Sequence, residues 1–333
     1  MKRDFTRMLR CSDCASELRL KDARESRGEI EQGSLICTRC GASFPIVRFI
    51  PRFAPSENYS SSFGFQWQRF RTTQLDSHTG VPVSRTRFFK ESEWSPDALK
   101  GALVLDAGCG AGRFAEVALD AGATLVALDY SQAVDACWSN FPFHPRLHLV
   151  QGDIYRLPFA PATFDFIYSF GVLQHTPDVE RAFRSLVPQL KPGGRIAVDL
   201  YPATPLNYFW PKYWLRPVTK RVPRERLYRI VQRMVPLLLP ASLVLGRVPR
   251  AGRKLRHLIP VVNYEGIFPL SPQQIREWAV LDTFDMLAPA HDRPQSTRTL
   301  RRWFAAAALE DVEVQRPGLV VGRGRKPRAS AES

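Results

Sequence analysis

Four cysteines stand in two close pairs, Cys11-x-x-Cys14 and Cys37-x-x-Cys40, with 22 residues between the pairs. Thiolates two residues apart across a tight turn can share one ion, and two such pairs supply the four tetrahedral ligands of a structural Zn2+. The frames around them, LRCSDC and LICTRC, are alike, as two hairpins facing one metal would be. Gly41 follows the second pair, where such a knuckle needs a permissive backbone. Four thiolates leave no open coordination position, so the zinc expected here is structural and not catalytic. Further along, VLDAGCGAGRF (104–114) places Gly108, Gly110 and Gly112 where a strand runs into a helix, with Asp106 just ahead of them. Glycines there let the backbone approach a ligand closely, but dinucleotide sites share that turn. The preceding acid, which those sites seldom have, sharpens the reading. A second strand-like run, TLVALD, ends in Asp129, and a third leads into Gln151-Gly152-Asp153-Ile154. His175, in LQHTPD, has a side chain whose ordinary pKa suits proton transfer. It is equally placed to be a loop histidine ahead of a helix capped by Thr176 or Asp178, and the residues alone leave both readings open. His291 and Asp292, in LAPAHDRPQS, form a second pair of this kind.

The elements that must position these groups follow from the pattern. LVLDAG, TLVALD, LHLVQGD, FDFIYS and RIAVDLY read as strands; RFAEVALDAG, SQAVDACWSN and DVERAFRSLVPQL read as helices between them. Strands alternating with helices imply a parallel sheet with crossovers, an α/β fold. The boundaries expected are a zinc ribbon at 7–54 and an irregular linker and lid segment at 55–100 closing in the helix cap SPDALK. A ligand-binding core follows at 101–201, a basic insertion at 202–272, sheet completion at 273–325 and a disordered tail at 326–333. In the linker, Gln66 and Trp67 could fold over a ligand or simply pack. Cys109 and Cys137 read as small buried residues. RERLYRIVQRMVPLLL is expected to be an amphipathic helix, 273–287 and 296–308 are expected to be helical, and LEDVEVQR and GLVVGRGR read as a closing pair of strands.

The 333 residues carry a formal charge of +15, which raises nucleic acid, anionic lipid or an acidic substrate as partners. Arginine outnumbers lysine 38 to 9, a skew that genome base composition alone can produce. The charge is nevertheless uneven: 202–272 holds 13 Lys and Arg against Glu225 and Glu265 alone. The first residues, MKRDFTRMLRC, lack the apolar core of a secretory signal. The longest uncharged apolar run, Met234 to Gly246, is short of the roughly 20 residues of a spanning helix. The location expected is cytoplasmic, with peripheral contact at the inner membrane face through the insertion.

From about 101 to 201 the chain resembles the class I methyltransferases that use S-adenosylmethionine (SAM), of the type 11 (UbiE-like) kind. VLDAGCGAGRF is similar to that family's glycine motif, LVALDYS to its acidic loop, QGDIYRLPF to its adenine loop, FDFIYSFGVLQHTPD to its fourth-strand motif and LKPGGRIAV to its fifth-strand hairpin, in the family's order. The N-terminal segment resembles the small zinc-ribbon partner of tRNA methyltransferases. The resemblance implies a Rossmann-like, seven-stranded doubly wound sheet behind a zinc ribbon, carrying an Arg/Pro-rich helical insertion, with SAM as cofactor. It places Gly108 and Gly110 under the methionine portion of SAM, with Asp106 positioning the loop and the amino group. Asp129 would hold both ribose hydroxyls and Tyr130 would pack against adenine. Asp153 and the Ile154 backbone would read the ring edge, and the Phe170 carbonyl would face the methionine end. His175 becomes the best-placed general base, where the acceptor needs one. The acceptor implied is a small molecule or a lipid- or glycan-linked one. RNA is the alternative, weakened because Ser169-Phe170-Gly171-Val172 stands where amino-methylating nucleic-acid enzymes carry an Asn/Asp-Pro-Pro-Tyr motif. A non-enzymatic SAM-binding module is the third reading.

Overall fold

Two-residue turns fix the N-terminal sheet. A computed structural model describes residues 1–204, 210–248 and 252–328. In it β1 (Leu18–Ser26), β2 (Glu29–Cys37), β3 (Ser43–Val47) and β4 (Ile50–Pro51) form an antiparallel meander. Arg27-Gly28 joins β1 to β2 with both residues at positive φ, the backbone that matches the twist of a tight hairpin. Arg48-Phe49 joins β3 to β4 in the same way, at φ 49° and 68°, although neither residue is glycine. Such strain persists only where the surroundings hold it. Here the Phe49 ring stacks on Trp138, 5.3 Å between centroids and 2° from parallel.

The larger sheet comprises β5 (Leu103–Ala107), β6 (Thr124–Asp129), β7 (Leu147–Gln151), β8 (Phe164–Ser169), β9 (Leu190–Leu200), β10 (Glu310–Gln315) and β11 (Val320–Arg325). Its order is β10-β11-β9-β8-β5-β6-β7. The pairs from β9 through β7 are parallel, and β11 runs antiparallel to β9 and to β10. The central strands are nearly continuous apolar runs because helices cover both faces. α5 (Arg113–Asp120), α6 (Ala133–Asn140) and α7 (Val179–Leu186) supply crossovers, and Asp178 caps α7 by accepting from the Arg181 N–H. The strand order reverses at β5, which lies between β6 and β8. Ligands of such sheets bind at that switch point, off the carboxyl ends of the strands.

The linker departs from expectation. It is not irregular but folds into α1 (Ser61–Arg69), α2 (Asp76–Thr79), α3 (Val83–Ser92) and α4 (Pro96–Leu99), the last capped by Ser95 as expected. α1 buries Gly64 and Gln66 instead of an apolar stripe, with Gly64 against the Gln132 backbone of the α6 cap, so no helical periodicity betrays it. Asp76 caps α3, its carboxylate accepting from the Ser84 and Arg85 N–H groups at 2.8 and 2.7 Å.

In the insertion, α8 (Pro211–Thr219) precedes α9 (Arg224–Gly246), and α10 (Gly252–Leu255) follows. α9 is longer than expected and continues through Pro236 and Pro240. Its 23 residues are long and apolar enough to cross a bilayer by length and composition, which the sequence reading did not anticipate. Its inner face, however, is seated: Leu227, Val231, Val235 and Leu239 recur every fourth residue and pack with Ala279, Phe284 and Leu287 of α11 (Pro272–Leu287). Ser271 and Gln274 form a capping box on α11, with Pro272 at its first position. α12 (Thr297–Ala306) packs beside β10 and β11. The segment expected to be a disordered tail lies outside the described residues from 329 onward.

The small sheet and the large one share a core. Phe5, Leu9, Ile30, Leu35 and Ile46 belong to the same buried cluster as Val126, Val150 and Phe164. Residues 1–6 join this unit, with Phe5 buried and stacked on His148 at 4.4 Å. Arg52 pairs with Gln151 as a parallel bridge, and the Phe53 N–H donates to the Gln151 carbonyl at 2.7 Å. The Arg52 guanidinium also grips Asp135 of α6 with two bonds, of 2.8 and 3.1 Å, both side chains being nearly buried. Removing one partner of a buried pair leaves an uncompensated charge, at about 3 kcal/mol. Asp135→Ala is therefore expected to lower the unfolding free energy by about that much, and the Arg52→Ala/Asp135→Ala double variant to lose clearly less than the sum of the singles. Additive losses in denaturant titrations would show that the pair does not couple the two sheets.

Candidate active site

The turn after β5 is built around the end of β6. The Gly108 and Cys109 N–H groups both donate to the Leu128 carbonyl, at 2.7 and 3.0 Å, and the Gly110 N–H donates to Asp129 Oδ2 at 2.9 Å. Gly108 sits at φ 103°, and a Cβ there would lie 2.4 Å from the Val172 side chain. At Gly110, φ 53°, it would meet the Trp67 indole nitrogen at 3.0 Å. The turn is thus pressed between Val172, after β8, and Trp67 of α1, and only glycine fits either place.

Asp129 has a second task. Its Oδ1 accepts from the Ser131 N–H and hydroxyl at 2.8 and 2.7 Å. Burial raises its pKa, opposed by these hydrogen bonds. A carboxylate accepts about four hydrogen bonds, two on each oxygen, so Oδ1 is filled and Oδ2 retains capacity toward the cavity that Asp129 lines. Asp106 lies beneath the turn and does not line the cavity. Burial pushes its carboxyl up to about 8, and neither its Oδ2 nor the nearby Tyr168 hydroxyl has a hydrogen-bond partner.

The cavity has a volume of about 1300 Å3. Of the residues singled out from sequence, Gly108, Gly110, Asp129, Tyr130, Ile154, Phe170 and His175 line it, as do Gln66 and Trp67. Asp153 does not; its Oδ1 accepts from the Tyr155 N–H at 2.9 Å, a turn-shaping bond. Tyr130 stands beside Tyr59, 5.0 Å between rings. His175 is buried in a 3₁₀ turn (Leu173–His175), its ring flanked by Phe63 and Tyr201. Its Nδ1 lies 3.0 Å from the His291 carbonyl, which can only accept, so Nδ1 carries the proton. Nε2 keeps its lone pair and has no partner. Burial pushes the His175 pKa down to about 4, with Asp292 opposing. His291 thus contributes its carbonyl rather than its ring. Asp292 is a buried wall residue, its Oδ2 3.1 Å from Lys212 Nζ. Cys109 and Cys137 are buried as expected.

The other end of the cavity was not foreseen. Tyr201, Lys212, Arg216, Tyr264, Trp278, Asp282 and Asp285 form it, with Arg113 and Glu91. Burial raises Asp282 to about 7 and Asp285 to about 6; Tyr264 donates to Asp282 at 2.5 Å. Glu91 is raised to about 8, by burial and the neighbouring Asp199 against the pull of Arg87. Arg87 holds both Glu91 and Asp199, and burial lowers Arg113 to about 10. One signal was available in the sequence: Asp282 and Asp285 stand three apart in the apolar helix WAVLDTFDML, hence on one face.

The four cysteines of the ribbon converge. The Sγ atoms of Cys11, Cys14, Cys37 and Cys40 all lie within 4.8 Å of one another, with Cys14–Cys37 at 3.5 Å and Cys11–Cys40 at 3.6 Å. Sulfurs about 2.3 Å from a zinc ion at tetrahedral angles stand about 3.8 Å apart, so this set fits the metal. The Arg39 and Cys40 N–H groups point at Cys37 Sγ, 3.4 Å away, as donors to a thiolate. The cavity's residues fit SAM as well: the Gly108–Gly110 turn, the Asp129 carboxylate with a free site on Oδ2 and the Tyr130 ring line it together.

Residues 105–198 match the family of the methyltransferase domain (Methyltransf_11), and residues 2–48 match the Trm112p-like protein family. A demethylmenaquinone methyltransferase of Thermobifida fusca is 33% identical over 132 residues, 38% of this chain and 56% of that protein. A malonyl-[acyl-carrier protein] O-methyltransferase of Pseudescherichia vulneris is 38% identical over 96 residues, 29% of this chain and 38% of that protein. The chain thus spans about half, or less, of these relatives. Human N-acetylserotonin methyltransferase in complex with SAM aligns over 82% of this chain and 60% of that one, at 15% identity and a TM-score of 0.45. A complex of the Haloferax volcanii Trm112 methyltransferase activator with a methyltransferase aligns over 80% of this chain and 98% of that one, at 15% identity and a TM-score of 0.44.

Purified chain is expected to carry one zinc per molecule by elemental analysis. Cys14→Ser/Cys40→Ser should lose the metal and lower the melting temperature by several degrees, since the ribbon shares its core with the large sheet. Full stability without metal would contradict a structural role.

Proposed function

From a methyltransferase domain joined to a Trm112p-like domain, we propose that the chain transfers a methyl group from SAM to a small or lipid- or glycan-linked acceptor. The observation that carries this is the cavity. Its roughly 1300 Å3 exceeds the range of about 300–1,000 Å3 typical of a single ligand, so it can hold a cofactor and a second molecule. The acceptor end is walled by the insertion and by Asp282, Asp285 and Asp292, interleaved with Lys212, Arg216 and Arg113, a mixed polar wall able to hold a hydroxyl or amine acceptor.

SAM brings a methyl group already activated on a sulfonium, so the protein's task is alignment and exclusion of water. Gly108 and Gly110 let the turn take its left-handed backbone between Val172 and Trp67, at the wall of the cavity. Asp129 would hold the ribose hydroxyls and Tyr130 would pack on the adenine face, with Ile154 at the ring edge and Phe170 toward the methionine end. Asp106 supports the turn from below, and Asp153 fixes the loop that carries Ile154. Trp67 closes the cradle at Gly110. His175 offers Nε2 to the acceptor's proton, with Nδ1–H held by the His291 carbonyl. Because burial lowers its pKa to about 4, the ring is neutral and able to accept across the neutral range.

A second reading, RNA as acceptor, has the Trm112p-like match in its favour. Against it, Ser169-Phe170-Gly171-Val172 stands where amino-methylating nucleic-acid enzymes carry an Asn/Asp-Pro-Pro-Tyr motif. Incubating the chain with methyl-labelled SAM and a cell extract separates the two: label is expected in the small-molecule or solvent-soluble lipid fraction, and label confined to RNA would overturn the proposal. His175→Gln should lower turnover about 100-fold, the lower range for a lost general base, with SAM affinity unchanged. Loss of SAM affinity would place His175 in binding instead. Wild-type turnover should show no loss from His175 protonation between about pH 6 and 8, since protonation begins only near its lowered pKa.

A further inference from the structure

Exposed large apolar side chains concentrate in one stretch of the chain. Of the eleven such residues described, all but Val47 and Val312 fall between Trp214 and Ile267. Trp214 is 68% exposed, Val218 66%, Leu237 76% and Val244 64%. On α9 they follow a rule. At 100° per residue, Arg226, Arg229, Ile230, Arg233, Leu237, Val244 and Arg247 fall within about 100° of arc, opposite the seated face of Leu227, Val231, Val235 and Leu239. The outer stripe is therefore arginine-rich toward its N-terminus and aliphatic toward its C-terminus, with no acid in it. α8 adds Trp214, Leu215 and Val218, with Lys220 and Arg221 exposed just beyond.

We propose that the outer face of α8 and α9 is a docking surface for an anionic lipid bilayer, which delivers the acceptor to the cavity. Apolar patches on a soluble surface mark interaction sites, and a helix that combines cations with large aliphatics lies in the bilayer interface. Cations next to such a patch gain from negatively charged headgroups, and tryptophan favours the headgroup level. A nucleic-acid strand would need aromatic platforms or a continuous basic groove, whereas here the arginines give way along α9 to Leu237 and Val244, with Leu215 and Val218 exposed on α8. Position ties the surface to the site. On α8, Lys212, Tyr213 and Arg216 wall the cavity while Trp214, Leu215 and Val218 face outward. α8 thus carries cavity-lining residues and exposed apolar residues on different faces. The delivery clause rests on the proposed methyl transfer; the docking clause does not.

The test is co-sedimentation of the full chain, without SAM, on vesicles of phosphatidylcholine alone or mixed with phosphatidylglycerol. Binding is expected on the mixed vesicles and to be much weaker on the neutral ones. Arg226→Gln/Arg229→Gln/Arg233→Gln should weaken it by about fivefold per arginine, roughly 100-fold together. Leu237→Asp/Val244→Asp should weaken it comparably, since both face outward; unchanged circular dichroism and SAM affinity would show that the variants fold. No binding to either vesicle would overturn the proposal. So would salt-sensitive binding to RNA alone, or a dimer that Leu237→Asp dissolves. SAM binding without vesicle binding would sink the docking surface and leave methyl transfer standing; vesicle binding without SAM binding would do the reverse.

Discussion

The Leu128 carbonyl and the Asp129 carboxylate, at the end of one strand, hold three consecutive backbone N–H groups of the turn that leaves the neighbouring strand. The organisation of the site depends on that clasp. It fixes the left-handed glycines, and these in turn admit Val172 on one side and Trp67 on the other. Because β5 lies where the strand order reverses, the clasped turn opens into the crevice between the β6 and β8 loops, where Tyr130 and Phe170 stand. One carboxylate so engaged both builds the cradle and faces its contents.

The N-terminal sheet solves a different problem. β7 is the last strand of the large sheet, and an exposed edge is a template for unwanted pairing. Arg52 and Phe53 bond to Gln151 there, and the Phe49–Trp138 stack and the Arg52–Asp135 pair close the seam. The four cysteines do not line the cavity; they brace a unit whose core is continuous with that of the large sheet.

Much of this was legible in the sequence because each feature rests on local rules. The cysteine pairs, the apolar runs of β5 to β9 and the glycine turn all carry their spacing with them. Asp129 was found for its place at a strand end, though its bonds to Gly110 and Ser131 were not. The linker escaped because α1 turns Gly64 and Gln66 inward, and a helix that buries polar residues has no apolar period to read. The acceptor end escaped for another reason. Asp282, Lys212, Glu91 and Arg113 come from four separate stretches of chain, and only the tertiary fold brings them to one wall. His175 was visible as a histidine, but the proton on Nδ1 and the bare Nε2 follow from the His291 carbonyl, more than a hundred residues away in the chain.

The most direct measurement is calorimetric titration of SAM and of NAD into zinc-loaded protein, beside Asp129→Ala. The account predicts that SAM binds, that NAD does not, and that the variant loses roughly 100-fold in SAM affinity, the scale of charge-assisted hydrogen bonds removed from a buried site. Failure of SAM to bind a fully folded, zinc-loaded chain would contradict the central claim and leave a fold kept for some other ligand.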